Sequence, residues 1–341
     1  MPIRVQDLVA QIPSDTEKVV SRARSRFNNA VRQMLRQETG LRLAKGRHHD
    51  EDDTETQAVR VLIKPGVPVE LAGLKFGEDK RLAILIAPWR AELERLRQSA
   101  SRISRELVRS LPGEIVCMGR FADVDRELDH AADFAEHLLK ISDTFNLVKE
   151  LHAVEDDILG QYRWSDKHDR WSMTEERWPS KQGQLSASVH LYWGVIGLVA
   201  RALGVSVEGL TVKVLAHELA HAYTHLGADI DGHRWDNDDF RWTARAVKEG
   251  LAQYYTKQLL ARLKTRLPEA EQAYQALLPH QPDDYRVQEI WIEGGATPEH
   301  IRLAMVLFRR GRKNTLQDFT AFLEQAKKDL GKRPQQFGLF E

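Results

Sequence analysis

His217-Glu218-Leu219-Ala220-His221 is the stretch of this chain whose residue types and spacing could do chemistry. On a helix, residues four apart share a face, so His217 and His221 can present two imidazole nitrogens to one metal ion. Glu218 projects beside them, about 100° round the helix, where it can reach a water at the metal without being a ligand itself. The spacing predicts a metal site with a general base next to it.

The elements that position these residues are legible around them. Leu215, Leu219, Ala222 and Leu226 form an apolar stripe, and His217, His221 and His225 form a second stripe that turns away from it, so one face packs and the other is free to bind. Thr211 is a plausible N-cap, with Ser206 as a competing start, and Gly227 suits a left-handed helix end. The single cysteine, Cys117, reads as a buried structural thiol, which leaves nitrogen and oxygen to hold a metal.

A catalytic zinc site uses about three protein ligands and keeps one position open, so a third ligand has to come from downstream. His225 lies on the same stripe but two turns from His217, too far for easy convergence. The loop ADIDGHRW, residues 228 to 235, offers Asp229, Asp231 and His233. Glu249 is the preferred candidate. It falls on a helix that starts at Asn237 or Asp238, carries Arg262 and Lys264 in its last turn and stops before Pro268. There it shares a face with Trp242 and Ala246, where an unpaired carboxylate would be costly to bury and a metal ion would remove that cost. Gly250 would let another backbone approach, and Gln253, one turn on, could support a ligand by hydrogen bonding.

HELAH on one helix, followed after a short loop by a helix reading Glu249-Gly250-Leu251-Ala252-Gln253-Tyr254, resembles the gluzincin-like zinc metallopeptidases. The resemblance covers roughly residues 156 to 260. It implies a zincin-like domain in which His217, His221 and Glu249 bind Zn2+ and Glu218 is the general base. The metzincin pattern fails, because Thr224 stands where a glycine is needed and Gly227 where a histidine is needed. A variant with Asp231 as ligand stays open. For the oxyanion partner, Tyr254, His233, Tyr223 and His225 are of suitable type, with His233 and Tyr254 preferred.

The rest of the 341 residues sets the frame. Composition is that of a soluble globular chain: 42% hydrophobic, 29% charged, with a formal net charge of +0, so no general electrostatic case exists for nucleic acid or an acidic membrane. The start, MPIRVQDLVAQIP, has no signal-type apolar core, and no run is long enough to span a bilayer; a cytoplasmic location is the expectation. The predicted fold class is α+β and mostly helical, with a small sheet beside a two-helix metal site.

The pattern divides into a basic helical segment at 1–45, an acidic linker at 46–57 and a small α/β accessory domain at 58–145. A metallopeptidase domain at 146–267, a helical region at 268–332 and a tail at 333–341 follow. Within the accessory domain, Ala58 to Ile63, Val67 to Leu71, Leu82 to Ala87 and Glu114 to Met118 read as strands, and Ala91 to Leu111 and Val124 to Ile141 as helices. Asp156 to Trp164 and Leu185 to Trp193 read as strands, and Val195 to Leu203 as a helix ended by Gly204. The functional expectation is zinc-dependent peptide-bond hydrolysis on a protein or peptide substrate. Two alternatives stand beside it: a zinc-stabilised regulatory or binding protein, and a protease directed to nucleic acid by the basic helix. Oligomerisation is compatible with the helical C-terminal region.

Overall fold

The computed structural model describes residues 2–43, 59–110, 119–154, 158–165 and 186–331. The linker 46–57, the strand at Glu114 to Met118 with Cys117, the tryptophans at 171 and 178 and the tail 333–341 lie outside the described residues.

The chain opens with β1 (Ile3–Arg4), α1 (Val5–Val9) and α2 (Asp15–Thr39), then β2 (Val59–Lys64), α3 (Val69–Ala72) and β3 (Lys75–Phe76). Next come α4 (Arg81–Ile86), α5 (Arg90–Ser110), α6 (Gly119–Ser142) and α7 (Leu147–His152). β4 (Gly160–Ser165), β5 (Ser186–Tyr192), α8 (Trp193–Leu203) and α9 (Val207–Leu226) lead into the histidine motif. The remainder is helical: α10 (Asn237–Trp242), α11 (Arg245–Leu263), α12 (Pro268–Leu277), α13 (Val287–Glu293), α14 (Pro298–Arg310) and α15 (Leu316–Gly331). The fold is thus mostly helical with a small sheet. No helix among the described residues is long and apolar enough to cross a membrane.

The main sheet has the order β2-β5-β4. β2 runs parallel to β5, with Val59 opposite Ala187 and Tyr192 opposite Lys64. β4 runs antiparallel to β5, with Gly160 opposite Leu191. β2, from the segment expected to form an accessory α/β unit, therefore shares a sheet with β5, the strand that leads into α8 and α9. The runs read as strands at Val67 to Leu71 and Leu82 to Ala87 are the helices α3 and α4. Short apolar runs carry no period that separates a strand from a buried helical turn, and here packing of α4 on α6 decides.

α9 is the axis of the molecule. Every residue from Gly209 to Leu226 is buried, so the helix has no free face. α2 packs along it, joined by the Tyr223 hydroxyl donating to the Arg32 carbonyl at 3.0 Å and by the Arg42–Ala228 bridge. The basic helix is consequently part of the core, with Arg32 itself buried and donating to the Val59 carbonyl at 2.7 Å. α11 and α12 cover other sides of α9, and β4 and β5 a further one.

Candidate metal centre

α9 starts at Ser206, whose side chain accepts a hydrogen bond from the Gly209 amide at 3.2 Å; Thr211 lies inside the helix and donates its hydroxyl to the Val207 carbonyl. The helix ends at Gly227 with φ of −66°, not in the left-handed region. A side chain there would collide with the Tyr223 carbonyl and with Leu41, so close packing explains the glycine.

The helix expected to run unbroken from Asn237 is two helices. α10 is capped by Asp236, which accepts from the amides of Asp238 and Asp239, and it stops at Trp242 because Thr243 and Ala244 turn extended. The Ala244 amide donates to the Asn314 carbonyl at 2.6 Å, a tertiary bond that no local pattern announces. Trp242 accordingly points to solvent, 72% exposed, and is no neighbour of the buried Glu249. Gly250 admits the indole of Trp291, 2.6 Å from where a Cβ would stand, instead of another backbone.

α9 and α11 bring together His217, His221 and Glu249. His217 Nε2 lies 3.2 Å from His221 Nε2 and 3.2 Å from Glu249 Oε2, and His221 Nε2 lies 3.3 Å from the same oxygen. All three residues are buried and each offers one ligand atom. Atoms about 2.1 Å from one ion at tetrahedral angles stand about 3.4 Å apart, so the triangle has the size a tetrahedral cation requires. Without a cation, two imidazole nitrogens and a carboxylate oxygen, all with lone pairs, share a buried space with few protons to separate them. The donor set N, N, O fits zinc and other divalent first-row cations alike.

Electrostatics point the same way. Burial, the Lys213 ammonium and the neighbouring His221 hold the His217 pKa down to about 3, against the hydrogen bond that Glu249 accepts from it, so the imidazole is neutral and able to ligate. Burial alone would raise Glu249; the two histidines outweigh it and hold the carboxyl well below its usual range, so it is ionised.

Glu218 is buried on the adjoining side of α9 and lines a small space of about 10 Å³, the size of one water, together with His217, Gly160, Lys213 and Tyr285. β4 comes so close that a Cβ on Gly160 would stand 2.9 Å from the Glu218 Cγ and 2.6 Å from Val214. Only glycine permits that approach.

The other candidates are elsewhere. His225 is fully buried in a polar chain, its Nδ1 2.9 Å from the Tyr162 hydroxyl and its Nε2 3.0 Å from Asn237 Oδ1, with its ring stacked on Phe240. Asp229 and Asp231 both pair with Arg310. His233 is exposed and lines a different cavity, beyond the end of α9. Tyr254, five residues after Glu249 and so on another side of α11, is buried near the charges of Glu38, Glu299 and Arg302, and burial pushes its hydroxyl up to a value beyond the usual tyrosine range. Tyr223 is spent on the Arg32 carbonyl. The expected oxyanion partners therefore do not meet Glu218.

Four neighbours of the centre were not singled out in the sequence: Lys213, Tyr285, His152 and Gln281. Lys213 precedes His217 by one turn and lies on the histidine stripe, a signal that was present. Tyr285, in the 3-10 turn Asp283–Arg286, gives no spacing to read. Gln253 holds Gln281 through a 2.8 Å bond from its Nε2 to the Gln281 Oε1, so its support reaches the site through that residue. No family model, no curated protein and no solved structure matches this chain.

Proposed function

We propose that this chain is a zinc-dependent peptidase of zincin type, with His217, His221 and Glu249 holding Zn2+ and Glu218 serving as general base. The observation that carries the reading is the convergence of three buried ligand atoms, 3.2 to 3.3 Å apart, with Glu218 on the adjacent wall. When bound, zinc supplies a Lewis acid that acidifies a water and polarises a carbonyl. Glu218 would then accept a proton from the attacking water and deliver it to the leaving amine. Desolvation around Glu218 strengthens this proton transfer by excluding competing solvent. β4 is an edge of its sheet among the described strands and packs against α9, so an extended peptide can add to it by backbone pairing and run past Glu218. Tyr285 and Lys213 replace His233 and Tyr254 as the groups of suitable type next to the base.

The test is metal analysis of the full chain beside His217→Ala and Glu249→Ala, with a peptide-library digest on the same samples. Stoichiometric zinc and cleavage in the wild type, both lost in the variants, are expected; a metal-free wild type that still cleaves, or no metal under saturating zinc, sinks the reading. A second reading is favoured by one observation: the space beside Glu218 admits a single water. A zinc-stabilised binding protein fits so closed a centre, and it predicts stoichiometric zinc with no cleavage of any peptide.

A further inference from the structure

Beyond the end of α9 lies a cavity of about 320 Å³, separate from the space around Glu218. Its wall carries Arg234, Arg309, Arg310 and Arg312, with Trp235 among them. Most carboxylate oxygens nearby are engaged, the exception among the described residues being Asp239 Oδ2, which is buried without a hydrogen bond. Asp236 accepts two backbone amides at the start of α10, Asp229 and Asp231 hold Arg310, and Asp239 faces Arg312 at 3.8 Å. Arg234 has no hydrogen-bond or ion-pair partner among the described residues.

Arg309 is the unusual member. Its side chain is only 2% exposed, and its Nη2 donates to the carbonyls of Gly227 at 2.6 Å and His233 at 3.3 Å. Its Nε and Nη1 are buried with no acceptor among the described residues, and so is the Trp235 Nε1. A buried guanidinium contacting no carboxylate, with two of its nitrogens unmet, is costly unless something negative completes it. Three donor nitrogens without acceptors and the unpaired Arg234 outnumber the one unmet carboxylate oxygen at this cavity, so the group that would complete it is an acceptor with negative charge.

We propose that this cavity binds a small oxyanion, the phosphate or carboxylate group of a compact ligand, between Arg309 and Trp235 on the inner wall and Arg234 and Arg312 at the rim. The volume is at the lower end for small-molecule pockets, which fits a ligand of a few carbons and excludes a folded partner. The site touches the metal helix at two points, through the Arg309 bond to the Gly227 carbonyl and through Asn237, which lines the cavity and bonds His225. An occupant therefore ties the loop 228–236 to the end of α9. The proposal does not rest on the metal reading.

The experiment is calorimetric titration of the full chain with inorganic phosphate and, separately, with succinate, at ionic strength held constant with chloride. Arg234→Ala and Arg312→Ala are the deciding variants, since both side chains are at the surface and neither supports the core. Saturable one-to-one binding of either probe, weakened roughly tenfold by each rim variant, is expected. The tighter probe identifies the phosphate or the carboxylate class. Arg309→Gln should lose binding as well, but it also removes two carbonyl contacts, so the rim variants carry the decision. No saturable binding of either probe, or unchanged binding in the Arg234→Ala/Arg312→Ala double variant, overturns the proposal.

Discussion

Tyr285 lies over the imidazole of His217, their ring centroids 5.5 Å apart and their planes 20° from parallel. The Arg245 guanidinium covers the phenol ring at 5.5 Å, and Arg245 also faces Asp284 at 3.6 Å. The His217 Nδ1 is buried and has no hydrogen-bond partner among the described residues. Ligating histidines are usually held by a bond at the second ring nitrogen; in the proposed metal site the stack on Tyr285 would take that orienting role. Tyr285→Ala is expected to weaken zinc affinity about tenfold or more, and Tyr285→Phe to restore it, since the ring does the work. Competition with a chromophoric chelator reads both, and the visible spectrum of the cobalt-substituted protein reports whether the geometry changes. Equal affinities in wild type and Tyr285→Ala would remove Tyr285 from the site.

Glu218→Gln should keep zinc at wild-type stoichiometry while lowering peptide cleavage by about a thousandfold, the usual scale for losing a general base. Single-turnover cleavage of a peptide substrate, with metal content measured on the same preparation, is the check. A variant retaining full activity would show that the proton goes elsewhere.

On the proposed zinc reading, metal removal should destabilise the fold, because the three proposed ligands sit on α9 and α11 at the centre of the core. Zinc at about a thousandfold over its dissociation constant contributes about 4 kcal/mol, so a chelator should lower the midpoint of thermal unfolding by several degrees. His217→Ala should melt at the same temperature with and without chelator. Differential scanning calorimetry decides this.

Gly160→Ala places a methyl 2.6 Å from Val214 and 2.9 Å from the Glu218 side chain. Overpacking of this kind costs about 1 to 3 kcal/mol, and Glu218 is what must move. Cleavage should fall with zinc retained, measured by the paired metal and activity assays; undiminished cleavage would separate β4 from the base.

The His225 pKa is held down to about 3 by burial, by Arg309 and by Lys248, against its bond with Asn237. The folded protein therefore keeps His225 neutral where the unfolded chain, near 6.5, takes up a proton. Stability is full above the unfolded value and declines as pH falls from there toward about 3. From pH 7 to pH 5 this one group should remove about 2 kcal/mol. Urea unfolding at the two pH values measures the loss, and His225→Gln should flatten the dependence.

The HELAH spacing on an amphipathic run settles by itself that two imidazoles share one side of a helix with Glu218 beside them, because helical periodicity is a local property. The same holds for the α8 stop at Gly204, which takes the left-handed φ of 66° that glycine favours. Glu249 was legible as a carboxylate that needed a partner, but the face assigned to it through Trp242 rested on an unbroken helix, and the break at Thr243 comes from the distant Asn314 carbonyl. The apolar runs at α3 and α4 were ambiguous because a run of five or six mostly apolar residues has too little polar contrast to display either period. His233 and Tyr254 matched the site in residue type alone, and their positions depend on how a loop and a helix face turn in space. Tyr285 reaches His217 from a turn far along the chain, and Arg309 meets Arg234 only once α14 packs against the loop after α9. Local spacing fixes which groups a helix presents, whereas the meeting of groups from separate elements depends on the long-range packing that buries them.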